Sequence, residues 1–252
     1  MDLLYAEPDP TNPILPSSDF DARGILGVAC WGVMAVRPAE TFAGNLLARR
    51  VHKPTLRFAR VLTHFVSYLL DHENDELVYS TTDPNNDLTS YVDSSWGNCP
   101  ETHRSWFGYS ISWCGAVFSV RAKLQPCVAL ASRDAEAIAA VFAVKALLGF
   151  NIMLTELGFK TNIPSTLHVD NKATVDGAHS EKLSKESRFM AMRLLWLREM
   201  VQNSLVRIRH VTTVDNHADI FTKLLPAAKH NAFRAVLMGT TPPPVLFALY
   251  GT

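Results

Sequence analysis

After residue 88, the order of strand-like and helix-like stretches leaves few architectures open. "LTSYVDSSW" (88–96) reads as a strand, and "WFGYSISWCGAVFSVRAKLQ" (106–125) as two strands turning near Cys114-Gly115. "SRDAEAIAAVFAVKALLGFNIMLTELGF" (132–159) has helical spacing and strong helix formers, with Ser132 as the expected N-cap. "STLHVDNKA" (165–173) opens on a strand and leads into a short helix near 172–179. A longer helix across "KESRFMAMRLLWLREMV", a strand "LVRIRHV" and a short helix "NHADIFTKLL" complete the series. Three strands, a helix, a strand, helices, a strand and a closing helix predict an α/β layer fold with a mixed five-stranded sheet.

Upstream the pattern is different. "MDLLYAEPDPTNPILPSS" carries four prolines and little periodicity, which predicts an extended lead-in. Helical spacing starts at "DARGILG", breaks near Arg37-Pro38 because a residue before proline avoids the α region, and resumes at about 54–72. A short strand is expected at Leu77 to Ser80, within a polar, turn-rich boundary. The reading is a small, mostly helical segment (1–78), an α/β domain (88–226) and a helical tail (227–252) ending in the Pro-rich "TTPPPVLFALYGT".

With 252 residues, 48% of them hydrophobic and 19% charged, the chain can bury a sizeable core. Its 24 basic and 24 acidic residues balance overall but divide unevenly. Residues 1–88 hold 7 Lys/Arg against 12 Asp/Glu, and 89–252 hold 17 against 12, so only the second part is suited to a polyanion. Cys30, Cys99, Cys114 and Cys127 form no C-x-x-C pair, which fits a reduced, intracellular chain. No basic head precedes an apolar run at the N-terminus, and no membrane partner is expected.

Four carboxylates stand out by position: Asp93 in the first strand, Glu136 in the first turns of the long helix, Asp170 at the end of the fourth strand, and Asp219 in the last short helix. Each has an ordinary explanation. Acids suit helix first turns by about 0.3–1 kcal/mol, and an Asp-Asn pair is a common turn or cap. Jointly they gather negative charge at one spot of a mixed sheet, which repels itself unless a cation is present. Hard oxygen donors suit magnesium or manganese, and several carboxylates can bridge two ions in phosphoryl-transfer chemistry.

"YVDSSWGNCPETHRSWFGYSISWCGAVFSVRAKLQPCVALASRDAEAIAA", "LHVDNKA" and "VTTVDNHADIFTKLLP" resemble, in order and spacing, the ribonuclease H domain that ends the Pol polyprotein of Ty/copia-type retrotransposons. The resemblance runs from about Tyr91 to Leu225. Upstream, "RGILGVACWGVMAVRPAETFAGNLLARRVHKPT" and "RVLTHFVSYLLDHENDELVYS" look like the reverse-transcriptase thumb and connection segment of the same polyprotein. The family's four acids match Asp93, Glu136, Asp170 and Asp219. Their order, with the glutamate second, separates the chain from integrases and transposases of the same general fold. The family's basic, histidine-containing run corresponds here to "SKESRFMAM", which keeps Lys185 and Arg188 but no histidine. No Y-x-D-D signature occurs, so no polymerase activity is expected from this chain alone.

The resemblance implies a ribonuclease H-like fold and hydrolysis of the RNA strand of an RNA/DNA hybrid with two magnesium ions, for which manganese can substitute. Asp93 would bridge the two ions. Other implied partners are the hybrid itself and the polymerase domain of the parent Pol, in the cytoplasm, the nucleus or virus-like particles. Candidate substrate contacts are Arg104, Lys123, Asn171, Lys185 and Arg188, with His217 as an auxiliary group. Arg207 and Arg209 could also track phosphates, although edge-strand charges that prevent aggregation look the same. Trp96, Trp106 and Trp113 are read as core, and His217 as a solvated surface histidine. The rival reading is a transposon-derived fragment that keeps the fold and binds nucleic acid or protein without catalysis.

Overall fold

The computed structural model describes residues 5, 7–79, 86–180 and 191–241. The chain divides into two units, 1–77 and 78–252. In the first, α1 (Ala22–Val36) starts where Asp21 accepts a hydrogen bond from the Gly24 amide (3.0 Å). It stops where Arg37, held by the following proline, leaves helical geometry (φ −130°, ψ 64°). A 3-10 turn, Pro38–Glu40, leads into α2 (Thr41–Ala48), and α3 (Leu56–Asp71) is capped by Thr55, which accepts from the Phe58 amide. Leu26, Val33, Phe42, Leu46, Phe58 and Leu62 give this unit a buried core of its own. Arg37 is buried too, and its guanidinium donates to the carbonyls of His72, Glu73 and Asp75, satisfying orphan groups at and beyond the end of α3.

The second unit is the α/β domain. β1 (Asp87–Ser95), β2 (Trp106–Trp113) and β3 (Ala116–Leu124) form an antiparallel meander. Its second turn is two residues long, with Cys114 (φ 52°) and Gly115 (φ 82°) both left-handed, the backbone that joins twisted strands without splaying them. β4 (Asn162–Val169) and β5 (Val206–His210) pair parallel, with β4 against the other side of β1. The order β3-β2-β1-β4-β5, with the first three antiparallel and the last two parallel to β1, is that of the ribonuclease H-like fold.

Between β3 and β4 runs α4 (Ser132–Glu156). Its Ala139, Ala140, Ala143, Val144 and Leu147 share one core with Leu88 and Val92 of β1, Ile111 of β2 and Leu167 of β4. Small side chains let the helix lie close to the sheet. Among the described residues α4 alone is long and apolar enough to cross a membrane, and half of that apolar stretch is buried in this fold. α5 (Lys172–His179), α6 (Ala191–Gln202), a 3-10 helix (His217–Phe221) and α7 (Ala227–Leu237) complete the unit.

Three local expectations are corrected. Leu77–Tyr79 is not a strand, although Val78 donates to the Met238 carbonyl; Ser80, the last residue of that expected strand, lies outside the described residues. Ser132 is the first helical residue of α4 and Ala131 the N-cap, while the Asp134 carboxylate accepts from the Leu130 amide. Trp106 is buried and Trp113 packs edge-on against Phe159, but Trp96 is 55% exposed, with its indole N–H on the Ala129 carbonyl. The tail is helical through Leu237, and its Pro-rich end, 242–252, lies outside the described residues.

Candidate metal centre

The parallel register of β1 and β4 pairs Val92 with Val169, so Asp93 and Asp170 each follow the same rung, at the same end of the sheet. Asp170 directly follows the end of β4, and the chain leaves the strand there because Asn171 caps α5, accepting from the Thr174 amide at 3.0 Å. The first turns of α4 bring Glu136 to the same place. One carboxylate oxygen from each of Asp93, Glu136 and Asp170 lies within 4.8 Å of the others. Asp93 and Glu136 are buried, and Asp170 is half-buried.

Such a cluster is strained without a cation. Burial raises the Asp93 carboxyl to about 6; Lys223 opposes that rise, and Asp219 adds to it. Glu136 is held well above the usual carboxylate range, first by burial and then by Asp93 and Asp170. Its Oε2 is buried with no hydrogen-bond partner. Asp170 is raised by burial and by Asp219. Three convergent hard oxygens fit magnesium or manganese, and no cysteine or histidine belongs to the group.

Asp219 is not a member of that group. It sits in the 3-10 helix, buried, with Oδ1 2.8 Å from Lys223 Nζ and Oδ2 2.6 Å from Lys229 Nζ. Lys223 also reaches Asp93 Oδ2 at 3.4 Å, so one ammonium bridges the two acids. The Thr222 hydroxyl donates to Asp93 as well. This turn is pinned to β1 by Asn216, whose amide nitrogen donates to the Val92 carbonyl (3.0 Å). Gly108 of β2, paired with Asp93, lets the turn approach: a Cβ there would stand 2.1 Å from that of Phe221.

The other candidates separate. Asn171 is a helix cap beside the cluster. Arg104 is exposed in the β1–β2 loop. Lys123 is exposed on β3, while Arg207 and Arg209 are exposed on β5, the opposite edge of the sheet. Lys185 and Arg188 lie outside the described residues. His217 is not a solvated histidine: it is 1% exposed, its ring packs on Tyr91 (centroids 4.1 Å), and Nε2 shares a 2.8 Å hydrogen bond with Ser110 Oγ. Tyr91 stacks in turn on His168. Lys223, Lys229, Thr222 and Asn216 were not among the sequence candidates. Of these only Lys223 had a visible signal, its four-residue spacing from Asp219.

No family model matches the chain. Its homologues over most of its length are retrotransposon Pol polyproteins of copia type. It is 26% identical over 204 residues to the Retrovirus-related Pol polyprotein from transposon TNT 1-94 of Nicotiana tabacum, covering 81% of this chain and 15% of that protein. Identity to the Pol polyprotein of transposon RE1 of Arabidopsis thaliana is 25%, covering 88% and 15%. For the transposon Ty1-LR3 Gag-Pol polyprotein of Saccharomyces cerevisiae it is 25%, covering 82% and 12%. The chain thus spans less than a sixth of these relatives. Among solved structures, LC11-RNase H1, isolated from compost, is similar with a TM-score of 0.43 and 15% identity, covering 54% of this chain and 93% of that one. The N-terminal RNase H domain of rv2228c from Mycobacterium tuberculosis follows at 0.40 and 10%, covering 62% and 100%. The order and directions of the five strands define the fold.

Proposed function

We propose that this chain is a ribonuclease H-type hydrolase that cuts the RNA strand of RNA/DNA hybrids, acting as part of a copia-type Pol. The observation that carries this reading is the convergence of Asp93, Glu136 and Asp170 within 4.8 Å, at strand and helix ends of a ribonuclease H-like sheet. Magnesium ions held by these oxygens, with Asp219 as a fourth donor, would supply Lewis-acid activation of a water and of the departing 3′-oxygen. The residues themselves do the placing. Asp93 is fixed by a central strand, by Thr222 and by Lys223, and Asp170 by the cap that follows it; rigid elements hold ligands better than loops. Glu136, raised in pKa and with its Oε2 unpartnered, is the group that gains most from a cation. A hybrid would be selected by its 2′-hydroxyls across the shallow groove and by the geometry of its DNA strand.

The test is cleavage of an end-labelled hybrid with magnesium, beside single-stranded RNA and duplex DNA. The parent should cut the hybrid alone, and Asp93→Asn should abolish the cut. Equal cleavage by parent and variant would reject the assignment. The first unit, read as the thumb and connection of a reverse transcriptase, would place this domain against a polymerase body.

A further inference from the structure

Both oxygens of the Asp219 carboxylate already carry an ammonium group. They accept from Lys223 at 2.8 Å and from Lys229 at 2.6 Å, while the other three acids face one another with no lysine on Glu136. The two lysines are held differently. Lys223 bridges Asp219 and Asp93 from within the same turn. Lys229 comes from the first turn of α7, and the only acid it contacts among the described ion pairs is Asp219. Its Nζ lies 5.1 Å from the centre of the Phe233 ring, one helical turn on, which steers it toward the acid. Asp219 and Phe233 are buried, so the pair is shielded on its acid side, while the Lys229 side chain keeps 34% exposure and a route out to water.

Taking the metal-dependent reading above as its basis, we propose that Lys229 is a tethered counter-ion that competes with divalent metal for Asp219, so that the centre loads in two unequal steps. The Asp93, Glu136 and Asp170 oxygens take the first ion. The Asp219 edge accepts a second only when the Lys229 ammonium withdraws, which makes its affinity lower and dependent on α7. A cation must leave before another can bind, and the cost of that exchange falls on the second step alone.

The experiment titrates the full chain with Mn2+, without nucleic acid, counting free ion by electron paramagnetic resonance. The parent should show a tight and a weaker step. Lys229→Met keeps the apolar stem and removes the charge; it should strengthen the weaker step about three- to tenfold, leave the tighter step within about twofold, and lower metal-free thermal stability. Lys229→Arg should behave like the parent. Lys160→Met, an exposed charge just before the start of β4 and so at the far end of that strand from Asp170, controls for net charge and should change neither step. A parent with one class of site, a weaker step unmoved by Lys229→Met, or an equal shift from Lys160→Met overturns the proposal. If the Mn2+ steps behave as expected and hybrid is not cut, the catalytic reading fails and the counter-ion stands. If hybrid is cut and the weaker step does not move, the counter-ion alone fails.

Discussion

The side chain of Phe221 fills the space above Gly108, and any β-carbon at position 108 would lie 2.1 Å from that of Phe221 and 2.8 Å from the Arg121 carbonyl. Gly108 is also the β2 partner of Asp93. A single missing side chain therefore sets how closely the turn bearing Asp219, Thr222 and Lys223 approaches the central strand. Gly108→Ala should destabilise the α/β unit by about 1–3 kcal/mol, the usual cost of overpacking, read as a lower denaturation midpoint. Hybrid cleavage should fall further than stability explains, because the turn is pushed off Asp93. Wild-type stability in this variant would refute the packing account.

Glu136→Gln removes a buried charge that Asp93 and Asp170 repel and whose Oε2 lacks a partner. In chelator its melting temperature should rise by about 2–4 °C, the shift that 1 kcal/mol gives a domain of this size. Added magnesium should then stabilise it less than the parent, because a ligand stabilises by mass action only where it binds. A variant that melts lower without metal would mean that Glu136 is a structural partner in the fold.

Stability should peak in mildly acidic to neutral solution when metal is absent. Burial lowers His168 to about 4 and His217 to about 3, against roughly 6.5 in the unfolded chain. Between those values the unfolded chain binds more protons, so this contribution grows as pH rises toward 6.5 and is complete above it. Asp93, raised to about 6, and Glu136, raised well above its ordinary value, act oppositely. Their folded forms retain protons that the unfolded chain has lost, so stability drains away as pH climbs from about 4 through 6 and beyond. Melting curves from pH 4 to 9 in chelator should show the fall on the alkaline side, and magnesium should flatten it. An identical profile with and without magnesium would sink this explanation.

Arg37→Ala should unfasten the end of α3 in the first unit. The carbonyls of His72, Glu73 and Asp75 lose a charged donor, at about 1.5–3 kcal/mol for hydrogen bonds of this kind. Hydrogen exchange of the last turn of α3 should quicken, while β1 and β4 stay protected. Unchanged exchange at residues 68–71 would show that the guanidinium does not hold that helix end.

Asp93, Glu136 and Asp170 could be read from the sequence because strands and helices announce themselves by period, and an acid at an element's end is visible against an apolar background. Asp219 was found by the same logic, yet its partners were not. Lys229 stands ten residues away across a proline, and no periodicity says that α7 folds back over the turn. Trp96 departs from the rule that strand aromatics are usually core because it falls one residue past the end of β1, where the chain turns at Gly97 (φ 63°). His217 departs in the other direction: a polar residue in a polar run looks solvated until Tyr91 and Ser110 arrive from two strands to cover it. Neither neighbour is local.

The shared rung that sets Asp93 beside Asp170 joins residues on strands separated in the chain by a hairpin and the whole of α4. Closing so long a loop is slow and entropically costly, and its reward comes only once β4 docks. Until that moment Asp170 is far from Asp93 and the repulsion between them is absent. The charge cluster is thus a property of the finished chain and cannot oppose the early stages of folding; it weighs on the last step, when the parallel pair zips shut.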